Sequence, residues 1–292
     1  MNFNPLSLER QIMKTDKVSY YSCRAPNGEF FLIAEPHRSG FAEKIAQLRA
    51  RRNEFMESVG FTEVSECKTE ECSFRGNCLR INFLPEVNSQ IRLVVEGLYV
   101  LEFDCFTFGK MIYAKDLLEN DYYITMPTAY RLTIGLLTLV DRMVRMNMYV
   151  NLTAENLLID TQFAMATLLD WSEVELFDIM STQKTTALYR HVAELIFQLT
   201  GAERNEDGSW NCLDDSEDKL RDGLLNVLDE VKQTQVEIPE RLDEAISYVQ
   251  KLREKQKSLV REIAKRLPRE KFKKPLFEVM KKEKTEEKEW NS

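Results

Sequence analysis

The sequence predicts an α+β fold in which a β-rich N-terminal part with one helix precedes a helical C-terminal part. Residues 18–34 form two β-branched and aromatic runs around Pro26-Asn27-Gly28, which is the pattern of a hairpin. Residues 128–147 carry apolar side chains at helical spacing and predict a long core helix. A second hairpin and further helices follow that helix, so sheet and helix are segregated along the chain.

Length and composition exclude several classes of protein. The chain has 292 residues, which at roughly 150 residues per unit predicts about two packing units. Apolar residues make up 43% and charged residues 30%, as in globular rather than disordered proteins. We expect no membrane span, because no run of 18 apolar residues occurs. We expect no signal peptide, because no basic start precedes an apolar stretch.

The net charge of −8 is mostly local. Residues 202–247 hold 14 acidic and 5 basic side chains, a net of −9, so the rest of the chain is close to neutral. Nucleic-acid binding needs a basic face, and this distribution argues against it. The six cysteines are too few in a chain of this length to form a disulfide scaffold, and reduced thiols are expected.

The remaining pattern predicts further elements in both halves of the chain. They are a helix at 40–58, strands at 79–84, 91–95 and 98–103, short strands at 156–160 and 166–170, and helices at 187–200, 219–233 and 239–266. From Pro268 basic and acidic clusters alternate, which predicts a polar, mobile surface tail.

One stretch resembles a site of known chemistry. Residues 149–160 (YVNLTAENLLID), followed by Asp170-Trp171, resemble the protein-kinase catalytic loop His-Arg-Asp-Leu-x-x-x-Asn and the Asp-Phe-Gly metal site. In this resemblance Asn156 and Asp170 fall on the two metal-binding positions. Asn151 falls where the catalytic Asp stands, and Tyr149-Val150 replace the His-Arg pair.

The resemblance implies a two-lobed protein-kinase-like fold. Residues 1–105 would be the β-rich N-lobe with one helix and residues 106–267 the α-helical C-lobe, divided near 104–107. Residues 268–292 would be the polar tail. In such a fold the base and the two metal ligands converge on a transferred phosphoryl group.

The departures from the kinase pattern bear on activity. An amide cannot accept the proton of a substrate hydroxyl, so Asn151 removes the general base. No glycine precedes Gly28, so no glycine-rich loop approaches the phosphates of a nucleotide. Alternation along the strand puts Ile33 near the position of the nucleotide-holding Lys. Glu43 matches the helix Glu but would lack that Lys as its ion-pair partner.

The segment after Asp170 also departs from the pattern. Trp171-Ser172 replaces Phe-Gly, and no Ala-Pro-Glu follows. Only 17 residues separate Asp170 from Leu188, near which the next helix is predicted to begin. That is short for a platform that docks a peptide substrate.

Other segments look like the budding-uninhibited-by-benzimidazoles (Bub) checkpoint kinases, and most like the BubR branch. The similarity rests on the order of elements and the apolar pattern over roughly residues 20–266. The segments are Phe106-Thr107-Phe108, Tyr123-Ile124-Thr125, 136–143 (LLTLVDRM), 191–195 (HVAEL), Asp207-Gly208-Ser209-Trp210 and 219–266.

This second resemblance implies a domain of a much longer spindle-checkpoint protein. Its partners would be kinetochore and checkpoint proteins, including a centromeric kinesin. The protein would be cytoplasmic and nuclear and would reach kinetochores in mitosis.

Three hypotheses follow. The first is a pseudokinase that acts as a structural or docking module and does not bind Mg-ATP. The second is an atypical, slow serine/threonine kinase that holds Mg-ATP through Asp170 and Asn156. The third is a secreted parasite pseudokinase of the rhoptry type, although those proteins carry a signal peptide and usually disulfides. Under a purely structural reading Asn156 and Asp170 cap the hairpin, and His191 is a core histidine.

Overall fold

A computed structural model of the chain describes residues 2–3, 8–24, 30–58, 86–87, 92–93, 98–102, 111–161, 165–212, 218–233 and 279–281. In these residues the fold is mixed: small, mainly antiparallel sheets combine with several helices. The predicted α+β class is therefore confirmed at this coarse level.

The N-terminal elements form one five-stranded sheet with a helix beside it. In chain order they are β1 (Asn2–Phe3), β2 (Leu8–Lys14), β3 (Val18–Arg24), β4 (Phe30–Pro36), α1 (Phe41–Ser58), β5 (Glu86–Val87), β6 (Arg92–Leu93) and β7 (Tyr99–Glu102). The sheet is antiparallel, in the spatial order β2-β3-β4-β7-β5, while β1 and β6 pair in parallel. Helix α1 buries Phe41, Ile45 and Leu48, because positions four and seven residues apart share one helical face.

The elements from residue 111 onward are helices joined by short strand pairs. In chain order they are β8 (Met111–Tyr113), α2 (Ala114–Glu119), β9 (Tyr122–Ile124), α3 (Met126–Arg145), β10 (Met148–Tyr149), a 3-10 turn (Ala154–Asn156), β11 (Leu157–Asp160), β12 (Met165–Leu168), β13 (Glu175–Leu176), α4 (Thr182–Thr200), β14 (Glu203–Arg204), β15 (Trp210–Asn211), α5 (Asp218–Gln233) and β16 (Val279–Lys281). The antiparallel sheets here have the orders β12-β11-β8, β10-β13, β14-β15 and β16-β9.

One contiguous hydrophobic core joins the sheet to the helices. Helix α3 packs against α4, and α4 packs against α5. Trp171 is fully buried and lies in this core together with side chains of the five-stranded sheet. The core members include Tyr20, Ile45, Leu136, Leu195 and Leu228, one from each of β3, α1, α3, α4 and α5. The segment after β12 is thus held against both parts of the chain.

Most of the predicted elements are confirmed. The hairpin over 18–34 is β3 and β4, and the helices at 40–58, 128–147 and 219–233 are α1, α3 and α5 with ends shifted by one or two residues. The short strands expected at 156–160 and 166–170 are β11 and β12.

Helix α4 begins earlier than the sequence predicts. It starts at Thr182 rather than near 187, because Ser181 caps it by accepting a hydrogen bond from the Lys184 N–H. Thr182, Thr185 and Thr186 are buried, so polar-looking residues form the inward face of the first turns and hide the apolar period. Only residues 171–181 therefore separate Asp170 from this helix.

Three of the predicted features concern residues outside the described part of the chain. They are the strand at 79–84, the helix at 239–266 and the lobe division at 104–107. In the tail that is expected to be mobile from Pro268, residues 279–281 are described and form β16. They pair with β9 through the backbone, a contact that side-chain polarity does not reveal.

Asn147 fixes the segment that leads into α4. Its φ is 54°, in the left-handed region that Asn tolerates better than most residues. Its side-chain oxygen accepts from the Met180 N–H at 3.1 Å, and its side-chain nitrogen donates to the Asp178 carbonyl at 3.0 Å. Its own carbonyl accepts from the Phe177 N–H at 3.0 Å. One residue thus holds three backbone positions of the segment before α4.

We expect Asn147→Gly to lower the free energy of unfolding by about 1–3 kcal/mol, because it keeps the backbone conformation and removes two side-chain hydrogen bonds. Asn147→Ala should lose about 1 kcal/mol more, because a Cβ is strained at positive φ. Asp121 has a φ of 57° at an exposed position, so Asp121→Gly is the matched control and should be nearly neutral. Equal losses for Asn147→Gly and Asp121→Gly in urea unfolding would contradict this role.

Candidate functional site

The site is built around Asp170, two residues beyond the end of β12. The N–H of Leu169 donates to the Asn156 carbonyl at 2.7 Å, one step past the last registered pair of the β11–β12 hairpin. The hairpin therefore places the backbones of Asn156 and Asp170 close together. The Asp170 side chain is fully buried.

One oxygen of the Asp170 carboxylate accepts three hydrogen bonds. The Tyr20 hydroxyl donates to Oδ1 at 2.7 Å, from β3 of the five-stranded sheet. The Ser172 N–H and hydroxyl donate to the same oxygen at 2.9 Å and 2.6 Å. Asp followed two residues later by Ser is a local turn pattern, so the sequence itself supplies two of the three donors.

The other oxygen of Asp170 has no hydrogen-bond partner among the described residues, although it is buried. Burial raises the pKa of Asp170, and the three hydrogen bonds to Oδ1 oppose that rise. Burial also raises the pKa of Tyr20 well above its usual value, so Tyr20 stays protonated and is held as a donor. Oδ1 of the carboxylate thus accepts three hydrogen bonds, whereas Oδ2 accepts none from the described residues.

Asn156 is buried and braces the loop that precedes it. Its side-chain oxygen accepts from the Thr153 N–H at 3.4 Å, and its side-chain nitrogen donates to the Asn151 carbonyl at 3.2 Å. Its backbone N–H donates to the Thr153 carbonyl, and the side chains of Thr153 and Asn156 cap each other's backbone N–H reciprocally at the 3-10 turn. Both polar atoms of the Asn156 side chain are therefore engaged within residues 151–156.

His191 supports the same loop from α4. Its Nδ1 accepts from the Leu152 N–H at 3.4 Å, which assigns the proton of the neutral ring to Nε2. Burial lowers the pKa of His191 and favours this neutral form. Asn151, one residue earlier, is exposed, and its side chain does not join the Asp170 cluster.

Ile33 and Glu43 lie apart from Asp170. In the register of the sheet Ala34 is opposite Tyr20, so Ala34 shares the face that reaches Asp170. Ile33, which the kinase resemblance assigns to the lysine position, is opposite Tyr21 and lies on the other face of the sheet. Glu43 is exposed on α1, away from the side that carries the core residues.

Two lysines of the N-terminal part lie near the acidic stretch that follows Asp170. Lys17, in the turn between β2 and β3, lies 2.9 Å from the Glu173 carboxylate. Lys44 of α1 is half-buried, and burial lowers its pKa, while the charges of Glu175 and Glu173 raise it. The direct contact with this stretch is therefore the one from Lys17.

The rest of that stretch is fixed from the helical side. The Lys184 ammonium lies 2.6 Å from the Glu175 carboxylate and over the rings of Tyr149 and Phe177, at 4.3 Å and 4.4 Å from their centroids. At the opposite end of the sheet, Arg10 makes a bidentate contact with Asp116 of α2 at 2.7 Å and 2.9 Å. Together with Tyr20–Asp170 and Lys17–Glu173, this contact joins the β2–β3 hairpin to the helical part in three places.

The arrangement is a poor fit to the Mg-ATP that the kinase resemblance implies. Mg²⁺ demands near-octahedral oxygen ligands at about 2.0–2.1 Å. Oδ1 of Asp170 is saturated, and the amide oxygen of Asn156 already accepts a backbone N–H. Ala34, the residue of β4 opposite Tyr20, offers no charge. Of the side-chain polar atoms of Asp170 and Asn156, only Oδ2 of Asp170 has no hydrogen-bond partner among the described residues.

Sequence reasoning missed Tyr20, Ser172 and the role of His191. The Asp-x-Ser spacing signals the Ser172 bonds and is readable in advance. The alternation of Val18, Ser19 and Tyr20 puts Tyr20 on an inward face but does not say what it meets there. His191 is half-buried and accepts the Leu152 N–H, a partner that the sequence does not indicate.

We expect Asp170→Asn to keep the three hydrogen bonds through its side-chain carbonyl while removing a buried charge. Asp170→Ala leaves the buried Tyr20 hydroxyl without its acceptor and should lower the free energy of unfolding by about 1–3 kcal/mol. Because folding raises the pKa of Asp170, its contribution is most favourable at low pH and is lost as pH rises through the folded pKa. The stability of Asp170→Asn relative to wild type should therefore grow between pH 4 and pH 7. Equal losses for the Asn and Ala variants in urea unfolding would contradict this geometry.

We expect His191 to make the protein sensitive to mild acid. Its folded pKa lies below the unfolded value of about 6.5, so its contribution is present above that value and is lost as pH falls through the folded pKa. His191→Asn keeps an acceptor at the δ position and cannot titrate, so it should lose less stability than wild type between pH 7 and pH 5. His37→Asn, which replaces the other histidine, is the comparison variant. An unchanged pH dependence in His191→Asn would refute the contact with Leu152.

Comparison with known proteins gives no relative from which a function can be transferred. No protein-family model matches the sequence, and no curated protein matches it. Within the described part of the chain, no group of three His, Cys, Asp or Glu side chains is placed to hold a metal ion. The helices described there include none that is long and apolar enough to cross a membrane.

Proposed function

We propose that the chain is a pseudokinase module: a two-lobed, kinase-like fold that acts by docking and does not transfer phosphate. The order of elements supports this proposal. A five-stranded antiparallel sheet with α1 precedes α2, the long α3, the β11–β12 hairpin, and then α4 and α5. This is the order that the kinase resemblance implies for residues 1–267.

The observation that carries the proposal is the state of the Asp170 carboxylate. In a working site this carboxylate holds the metal of the nucleotide complex. Here Oδ1 is saturated by Tyr20 and Ser172 in a fully buried position. A metal ion at Oδ1 would have to replace those three hydrogen bonds, two of which come from hydroxyl groups. In return it would gain only one charged ligand.

Two further features point the same way. Asn151 cannot act as a general base, and removing a base typically lowers a rate by about 10²–10⁴. Residues 171–181 form a short segment that is held along most of its length. Trp171 is buried in the core, β13 pairs with β10, and Asn147 makes three hydrogen bonds to the segment. A segment held in this way is unsuited to opening for a peptide substrate.

The second candidate is the atypical serine/threonine kinase that holds Mg-ATP through Asp170 and Asn156. The observation that favours it is the bare Oδ2 of Asp170, a buried anionic oxygen without a donor among the described residues. It requires the Asn156 side chain to leave the Thr153 N–H, and a further group to bind the phosphates.

The biological setting belongs to the proposal and rests on the Bub resemblance. In that setting the module is part of a spindle-checkpoint protein, in cytoplasm and nucleus and at kinetochores in mitosis. Its partners are kinetochore and checkpoint proteins, including a centromeric kinesin. The rhoptry-type pseudokinase is the remote alternative, on which no observation in the described residues bears.

The test is a thermal-shift titration with ATP, with and without magnesium, on wild type, Asp170→Asn and Glu173→Gln. A ligand at 100 times its Kd adds about 2.7 kcal/mol to stability, which is easily seen. The proposal expects no magnesium-dependent shift in wild type at millimolar nucleotide. A shift that is present in wild type and Glu173→Gln but absent in Asp170→Asn would establish the metal site and favour the kinase. Glu173 is the matched control because it is the neighbouring carboxylate on the Lys17 side.

A further inference from the structure

Strand β9 pairs with residues from the far end of the chain. Its partner is β16, in the antiparallel register Ile124–Val279, Tyr123–Met280 and Tyr122–Lys281. Among the described residues β9 pairs with no other strand. Without β16, the backbone groups on this side of β9 would form an open sheet edge, which is a template for another strand.

The two faces of this strand pair differ. Ile124 is fully buried in the core, and Tyr122 packs against it on the same face. The Lys281 ammonium lies 5.6 Å from the centroid of the Tyr122 ring, a distance that suits a cation–π contact. Val279, opposite Ile124, is apolar, and Lys281, opposite Tyr122, is basic. The edge of β9 therefore selects an extended segment through its backbone hydrogen bonds and through these two side-chain positions.

The interactions that keep β16 paired with β9 are few and weak. It has three residues, and Val279 is 39% exposed even when paired. Lys281 is exposed, and a cation–π contact at an exposed site contributes about 0.5–1 kcal/mol. Such a strand stays in place chiefly because it belongs to the same chain, since the tether gives it a high effective concentration.

We propose that the outer edge of β9 is a docking edge for an extended peptide of a partner protein, and that residues 279–281 occupy it until that peptide displaces them. The partner segment carries an apolar residue opposite Ile124 and a lysine or arginine two residues later, opposite Tyr122. It binds by adding a strand, with backbone bonds giving affinity and the two side-chain positions giving selectivity. This docking edge does not depend on whether Asp170 binds nucleotide.

The first experiment asks whether β16 occupies the edge of its own chain. Tyr123 and Met280 are directly opposite, so the full-length Tyr123→Cys/Met280→Cys variant should form a disulfide under mild oxidation. The control is Tyr123→Cys/Lys281→Cys, in which the two side chains lie on opposite faces. We expect the 123–280 link in the monomer band, identified by mass spectrometry, and little 123–281 link. Equal yields, or a link only between two chains, would overturn the proposal.

The second experiment measures docking with a defined probe, a fluorescent peptide of residues 275–284 (PLFEVMKKEK). Successive N–H groups of a strand point alternately toward and away from its neighbour, so Val279→Pro/Met280→Pro removes a donor to β9 in either case. This full-length variant should bind the peptide at least about tenfold more tightly than wild type, because its tethered competitor is gone. The oxidised 123–280 variant should not bind the peptide until it is reduced.

A peptide with the same two prolines is the negative probe and should bind none of the proteins. Equal affinity of the unchanged peptide for wild type, the proline variant and the disulfide-locked chain would overturn the proposal, because binding would then ignore the edge. Absence of binding to the proline variant, when circular dichroism shows that it is folded, would overturn it as well.

Discussion

The hydrogen bond from Tyr20 to Asp170 is the contact on which the rest of the arrangement depends. It joins β3 of the five-stranded sheet to the segment after β12, and both residues are buried. Bonds between a hydroxyl and a buried carboxylate contribute about 1.5–3 kcal/mol. Two other polar links that the described residues make between the same parts, Arg10–Asp116 and Lys17–Glu173, are more exposed, and such pairs contribute about 0–1 kcal/mol each. The buried contact therefore outweighs them.

The neighbouring polar groups are engaged in the same internal way. Asn156 closes its own loop, His191 accepts a backbone N–H from that loop, and Asn147 holds the approach to α4. Each of these contacts lowers the freedom of the segment that it holds. Segments held in this way suit a protein that presents fixed surfaces, and the edge of β9 is the surface that we propose.

Sequence patterns predicted the elements better than the contacts between them. Periodicity found the β3–β4 hairpin and helix α3, because both bury one face with a regular apolar repeat. It placed the start of α4 too late, because threonines form the inward side of its first turns. Asn156 and Asp170 could be singled out by spacing, whereas the donor from Tyr20 could not. That contact joins residues 150 positions apart and depends on how the sheet lies against the hairpin.

The most direct measurement is a double-mutant cycle of Tyr20→Phe and Asp170→Ala, with the free energy of unfolding of wild type, both single variants and the double variant. Because the side chains touch and each change removes the bond between them, the two changes should be coupled by about 0.5–3 kcal/mol. Tyr20→Phe should weaken wild type more than it weakens Asp170→Ala, since the alanine has already removed the acceptor of the tyrosine hydroxyl. Effects that add within about 0.3–0.5 kcal/mol would mean that the two residues do not interact, and the account of a site closed by its own tyrosine would be wrong.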